Sequence, residues 1–116
     1  MPHLIVEYSD NMAPDFDVRA LLQEMHHALD GKYNIASPRI KARALKLDHY
    51  IVGDHGQEAA MVHVTFKLME GRSIGARKEL SSLLQQIVRQ HVPADRYPHS
   101  AVTVEVVELA TATYCP

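Results

Sequence analysis

The sequence holds one cysteine, Cys115, no tryptophan and only five glycines in 116 residues. A single thiol closes no internal disulfide and builds no thiolate metal cluster. No apolar run approaches the roughly 18–20 residues of a membrane-spanning helix. The start does not read as a secretory leader, because Leu4-Ile5-Val6 is too short for an apolar h-region and Glu7 and Asp10 follow at once. Excess charge of one sign is missing too. Twelve Lys and Arg against fourteen Asp and Glu leave a formal charge of −2, so no global basic field draws the chain to nucleic acid or to an anionic membrane. These absences lead us to expect a cytoplasmic protein without nucleic-acid or membrane partners.

Several chemical signatures are absent as well. There is no Gly-Lys-Ser/Thr phosphate loop, no Gly-x-Ser-x-Gly nucleophile elbow and no Cys/His dyad pattern. None of the eight histidines is spaced i, i+4 from another, so the sequence carries no helical zinc signature and no metal is expected. The length leaves no room for a separate cofactor domain.

The composition that is present, 47% hydrophobic and 22% charged, is that of an ordinary globular domain, read as one unit over 1–116. Residues 3–8 alternate as a strand. Residues 15–30 place Phe16, Leu21, Leu22, Met25 and Leu29 on one helical face, with Asp15 or Asp17 to cap the start and Gly31 past the end. A loop over 32–38 leads to a second strand over about 39–51, with a bulge or bend expected near Leu45, where the alternation slips. A third strand is expected over 60–69, then a helix over 74–92 capped by Ser73, and a fourth strand over 101–109. The order is β-α-β twice, with a period close to 60 residues. Helical crossovers imply parallel pairing inside each unit. The predicted fold is therefore an α/β, two-layer (α+β) arrangement: tandem β-α-β units forming a four-stranded sheet with two helices on one face. The other face is left uncovered, and its apolar residues predict packing against other subunits.

Three features carry possible chemistry. Pro2 follows the initiator; it either shapes the first turn or, once Met1 is removed, becomes an N-terminal secondary amine on a rigid ring. An α-amino group titrates near 7.7–8.0, and burial or nearby cations lower that further, which suits a neutral base. Arg72, in Gly71-Arg72-Ser73 at a helix start, reads as a surface residue or as an anion grip. Arg39, Lys41 and Arg43 alternate along the second strand. They make either a solvated edge or a row facing an anion.

The run Met1-Pro2-His3-Leu4-Ile5-Val6-Glu7-Tyr8-Ser9-Asp10-Asn11 resembles the start of the 5-carboxymethyl-2-hydroxymuconate Δ-isomerases. These belong to the tautomerase superfamily, with 4-oxalocrotonate tautomerase and macrophage migration inhibitory factor. Ile40-Lys41-Ala42-Arg43-Ala44, Val62-His63-Val64-Thr65-Phe66-Lys67 and Gly71-Arg72-Ser73 extend the similarity over roughly residues 1–90. The resemblance implies a cofactor-free homotrimer with sites near subunit interfaces. It implies Pro2 as catalytic base after Met1 is cleaved, and Arg72 on a carboxylate of a small-molecule substrate. Lys41 stands where these isomerases carry a second arginine; it keeps the charge without the planar fork, and Arg43 or Arg39 is placed to take over the second carboxylate. The implied reaction moves a proton within an unsaturated 2-hydroxy/2-oxo di- or tricarboxylate such as 5-carboxymethyl-2-hydroxymuconate, in homoprotocatechuate breakdown. Two other functions fit the same residues. One is decarboxylation or hydration of a small oxo acid with Pro2 as acid. The other is a non-catalytic trimeric module that binds an anionic partner.

Overall fold

The computed structural model describes residues 1–116, apart from the side chain of Gln57. Six main elements follow in order: β1 (His3–Ser9), α1 (Val18–Leu29), β2 (Lys41–Leu47), β3 (Met61–Met69), α2 (Ile74–His91) and β4 (Ala101–Leu109). The strands form one mixed sheet in the order β2-β1-β3-β4. β1 pairs with β2 in parallel, β3 with β4 in parallel, and β1 with β3 antiparallel. The two β-α-β units thus run in opposite directions and meet along β1 and β3.

Alternation decides which face is covered. Leu4 and Val6 of β1, and Val62, Val64, Phe66 and Leu68 of β3, are buried against Leu21, Met25 and Leu29 of α1 and Leu80, Leu84 and Val88 of α2. Both helices therefore lie on one face, as the two-layer reading expects. The register sets Leu4 opposite Phe66 and Val6 opposite Val64. The other face carries His3, Ile5, Glu7, His63, Thr65 and Lys67, all half-buried in the protomer.

The helix ends follow their caps. The Asp17 side chain accepts from the Ala20 amide at 3.0 Å, and the Ser73 hydroxyl accepts from the Ala76 amide at 3.0 Å, so each satisfies a donor that the helix leaves free. Ser73→Ala is expected to cost about 1 kcal/mol of stability, read as a lower denaturation midpoint with an unchanged slope.

Several sequence expectations differ from the structure. α1 starts at Val18 rather than near residue 15, with Asp17 and not Asp15 as its cap. β2 begins at Lys41 and ends at Leu47, shorter than 39–51. Its pairing with β1 is unbroken from His3–Lys41 to Ser9–Leu47, so there is no bulge near Leu45. β2 is an edge strand, and its outward Leu45 is 48% exposed; apolar residues of both parities are tolerated there. Arg39 leaves the proposed row of three. It closes a 3-10 turn over Ser37–Arg39, where its amide donates to the Ala36 carbonyl at 3.0 Å. Pro38 supplies a fixed φ suited to that turn. Only Lys41 and Arg43 share the strand.

Candidate active site

The strand register gathers the chemistry at one end of the sheet. β1 and β2 start there, and β3 and β4 finish there. His3 lies between Lys41 of β2 and Lys67 of β3. Pro2, one residue before β1, is buried, and its carbonyl accepts from the Lys41 amide at 3.0 Å. Arg72 lies three residues beyond the end of β3. Parallel and antiparallel pairing thus bring residues 2, 41 and 72 to the same end of the sheet, far apart as they are in sequence.

The uncovered face beside Pro2 is strongly cationic. Arg43 Nη1 lies 3.1 Å from His3 Nδ1, and His3 Nε2 lies 2.9 Å from the Tyr114 hydroxyl. Burial, then the charges of Arg43, Lys41 and Lys67, hold the His3 imidazole below its ordinary pKa. Further along, a shallow cavity of about 570 Å³ is lined by Ile5, Glu7, Arg43, Leu45, Lys67 and Glu105, among others. His63 Nε2 bridges to Glu105 at 3.0 Å and its Nδ1 meets the Thr103 hydroxyl at 2.7 Å. The His63 hydrogen bond holds the Glu105 carboxyl below its ordinary range.

Arg72 faces a different hollow. Its Nε donates to the Tyr33 carbonyl at 3.2 Å and its Nη1 to the Met69 carbonyl at 3.3 Å. It lines a cavity of about 370 Å³ with Tyr33, Asn34, Gly71, Ser73 and Ala76. The backbone that receives it is unusual. Tyr33 and Asn34 sit at φ 47° and 64°, the left-handed region that bulky residues rarely enter. The Tyr33 hydroxyl bonds the Glu79 carboxylate of α2, which pins this turn beside Arg72. Neither Pro2 nor Lys41 lines the Arg72 cavity. Within the protomer the sequence-derived residues form two groups, Pro2 with Lys41 and Arg43, and Arg72 apart, while Arg39 stands exposed in its turn.

A wider cavity, about 1080 Å³, opens at the opposite end of the sheet, where Asp10, Asp48, Tyr50, Ile51 and Asp54 line it. It holds three aspartates and neither lysine nor arginine. Such a lining repels a carboxylate substrate, so size is a poor guide here. Among the described residues no group of three or more His, Cys, Asp or Glu is arranged to hold a metal ion. No helix is long and apolar enough to cross a membrane.

Comparison with known proteins decides the family. The model of the 5-carboxymethyl-2-hydroxymuconate isomerase family matches residues 2–115. The chain belongs to this family. It is an isomerase by that membership. An Escherichia coli 5-carboxymethyl-2-hydroxymuconate Delta-isomerase is 30% identical over 94 residues, covering 81% of this chain and 75% of the relative. A crystal structure of a 5-carboxymethyl-2-hydroxymuconate isomerase from Deinococcus radiodurans R1 superposes with a TM-score of 0.87 at 29% identity, over 99% of this chain and 87% of that one. A structure described as a fused 4-OT wild-type symmetric trimer shares the fold at a TM-score of 0.72 and 20% identity, over 98% and 90% of the two chains. The tautomerase-type fold of the sequence reading is thereby established. The family match begins at Pro2 itself.

Sequence reasoning passed over two residues at this end of the isomerase. His3 stands inside the run that carried the resemblance, yet alternation alone marks it as an ordinary outward strand position. Tyr114 has no motif around it, and its one signal was to be the sole aromatic residue after β4.

Proposed function

We propose that this protein is a cofactor-independent tautomerase in which Pro2, freed by removal of Met1, is the general base. The observation that carries this reading is the buried Pro2 at the head of β1, next to His3, which Lys41, Arg43 and Lys67 approach from the neighbouring strands. Burial and neighbouring cations both favour the neutral amine. Neutral Pro2 takes a proton from an unsaturated 2-hydroxy or 2-oxo dicarboxylate or tricarboxylate, leaving a dienolate. The protonated Pro2 then returns that proton at a distant carbon, so nothing is gained or lost overall. Lys41 or Arg43 and Arg72 hold the carboxylates and balance the charge on the oxo oxygen; fixed charges of this kind often supply the largest catalytic term. The compound in the family's name, 5-carboxymethyl-2-hydroxymuconate, fits this charge pattern as substrate.

The separate position of Arg72 supports a site completed between protomers, and the uncovered sheet face supports association. We assign a homotrimer, in keeping with the fold shared with the symmetric 4-OT trimer. The alternative in which Pro2 acts as an acid needs a protonated amine, which the surrounding cations disfavour.

Two measurements test the reading together. Intact mass should show the chain lighter by one methionine residue. The rate on an enolic dicarboxylate should then rise with pH through the Pro2 titration, at or below the ordinary α-amino range of about 7.7–8.0, and level off above it. The sign follows from the base being the deprotonated form. Activity that grows toward low pH overturns the base in favour of the acid, and retention of Met1 in the active protein overturns both.

A further inference from the structure

We propose that Tyr114 is a further catalytic residue: its hydroxyl, held by His3, donates a hydrogen bond to the substrate oxygen that gains negative charge beside Pro2. This rests on Pro2 being the base.

The chain after β4 is folded to deliver this residue. The Tyr114 and Thr113 amides donate to the Ala110 carbonyl at 2.9 and 3.1 Å, making a turn. The Thr111 amide bonds the Glu70 carboxylate, and the Glu70 amide donates to the Leu109 carbonyl at 3.0 Å. The tail thereby crosses the end of β3 and reaches the start of β1, on the far side of β3 from β4. There the Tyr114 ring meets His3 edge to face, with centroids 6.0 Å apart.

Hydrogen-bond direction along this line is fixed by Arg43. A guanidinium only donates, so His3 Nδ1 accepts from Arg43, and the hydrogen of the neutral imidazole sits on Nε2. That hydrogen is given to the Tyr114 oxygen at 2.9 Å. The phenolic hydrogen must then point elsewhere. The acceptor it reaches is the Met1 carbonyl oxygen, at 3.5 Å. This oxygen is two bonds from the Pro2 nitrogen. It stands in for an oxygen of whatever lies against the amine once Met1 is gone. The side chains facing His3 in the processed chain (Arg43, Lys41 and Lys67) all favour the neutral ring, as does its burial, so the direction of the line persists at neutral pH.

The chemistry fits the slot. As Pro2 takes the proton from the substrate, an enolate oxygen gains charge and calls for a donor. The Tyr114 hydroxyl is a hydrogen-bond donor and serves there without passing its proton on. Tyr114 therefore adds no step to the proton's path; it lowers the energy of the dienolate.

The test uses the processed full-length protein with 2-hydroxymuconate as the enolic dicarboxylate. Tyr114→Phe is expected to lower kcat about tenfold or more, with KM within about twofold and the pH limb of Pro2 unmoved; one lost oxyanion donor elsewhere costs up to about 10²–10³-fold. His3→Leu should cost as much as Tyr114→Phe, and the double variant no more than either. His3→Gln, whose side-chain amide can supply the hydrogen of Nε2, should recover most of the loss. Wild-type kcat in Tyr114→Phe, a change in KM alone, or a shifted Pro2 limb would overturn the proposal; the last two mark a merely structural tail. The base reading is judged separately, by Pro2→Ala. An inactive Pro2→Ala beside a fully active Tyr114→Phe leaves the base standing and removes only the tyrosine.

Discussion

Pro2→Ala is expected to lower isomerase activity by about 10²–10⁴-fold, the range that a positioned acid-base group contributes. Alanine still leaves an α-amine after Met1 is removed, so the loss reports the ring rather than the mere presence of nitrogen. The pyrrolidine fixes φ and directs the nitrogen lone pair from a buried position at the head of β1. A primary amine on alanine rotates freely, so its aim at the substrate is lost. The hydrogen bond from the Lys41 amide goes to the residue 2 carbonyl and survives the change. Circular dichroism and oligomer size should therefore match wild type, and activity within tenfold of wild type would sink the mechanism.

Arg72→Ala carries the second large effect. With a substrate carboxylate bound through a bidentate, charge-assisted pair, removal should reduce kcat/KM on enolic dicarboxylates by about 10²–10³-fold, in line with loss of one fixed, preorganised charge. A neutral enol, which offers no carboxylate, should lose less than tenfold. The comparison between substrates matters because Arg72 also holds the Tyr33 and Met69 carbonyls. Loosening those contacts would slow both substrates alike, so equal losses would assign Arg72 to the scaffold. Arg72→Lys keeps charge without the fork and should fall between the two.

Much of this architecture was legible in residue order. Ser73 before an apolar stripe announced α2 to within a residue, because a cap and a periodic face are local properties. α1 was legible as an element, but its start was not: the pattern points to residue 15 with Asp15 or Asp17 as cap, and the chain enters the helix only at Val18. β4 was legible to its ends for the same reason. The limits of β2 were not. Arg39, Lys41 and Arg43 alternate as a strand would, yet the Ser37-Pro38 turn claims Arg39, and nothing in the alternation says where pairing with β1 begins. The left-handed backbone at Tyr33 was equally hidden, since its cause is distant: the turn is pinned through the hydroxyl to Glu79 and receives Arg72. At the proposed site, Pro2 and Arg72 are picked out by their positions, before the first strand and at a helix start. The approach of Tyr114 to His3 was not, because 111 residues separate them and only the sheet order joins them.

The opposed direction of the two β-α-β units has a consequence for stoichiometry. Because β1 and β3 are antiparallel, the head of β1 and the head of β3 lie at opposite ends of the sheet. The fold alone would offer two equivalent places for a terminal base. Only one of them has the proposed amine, at Pro2. The head of β3 follows Ala60, an internal peptide whose nitrogen has no basicity, and its end of the sheet carries the aspartate-lined cavity rather than cations. The near-symmetry of the backbone is thus broken in its chemistry. On the proposed reading each protomer has one working end, and a homotrimer would turn over three substrates at a time, not six.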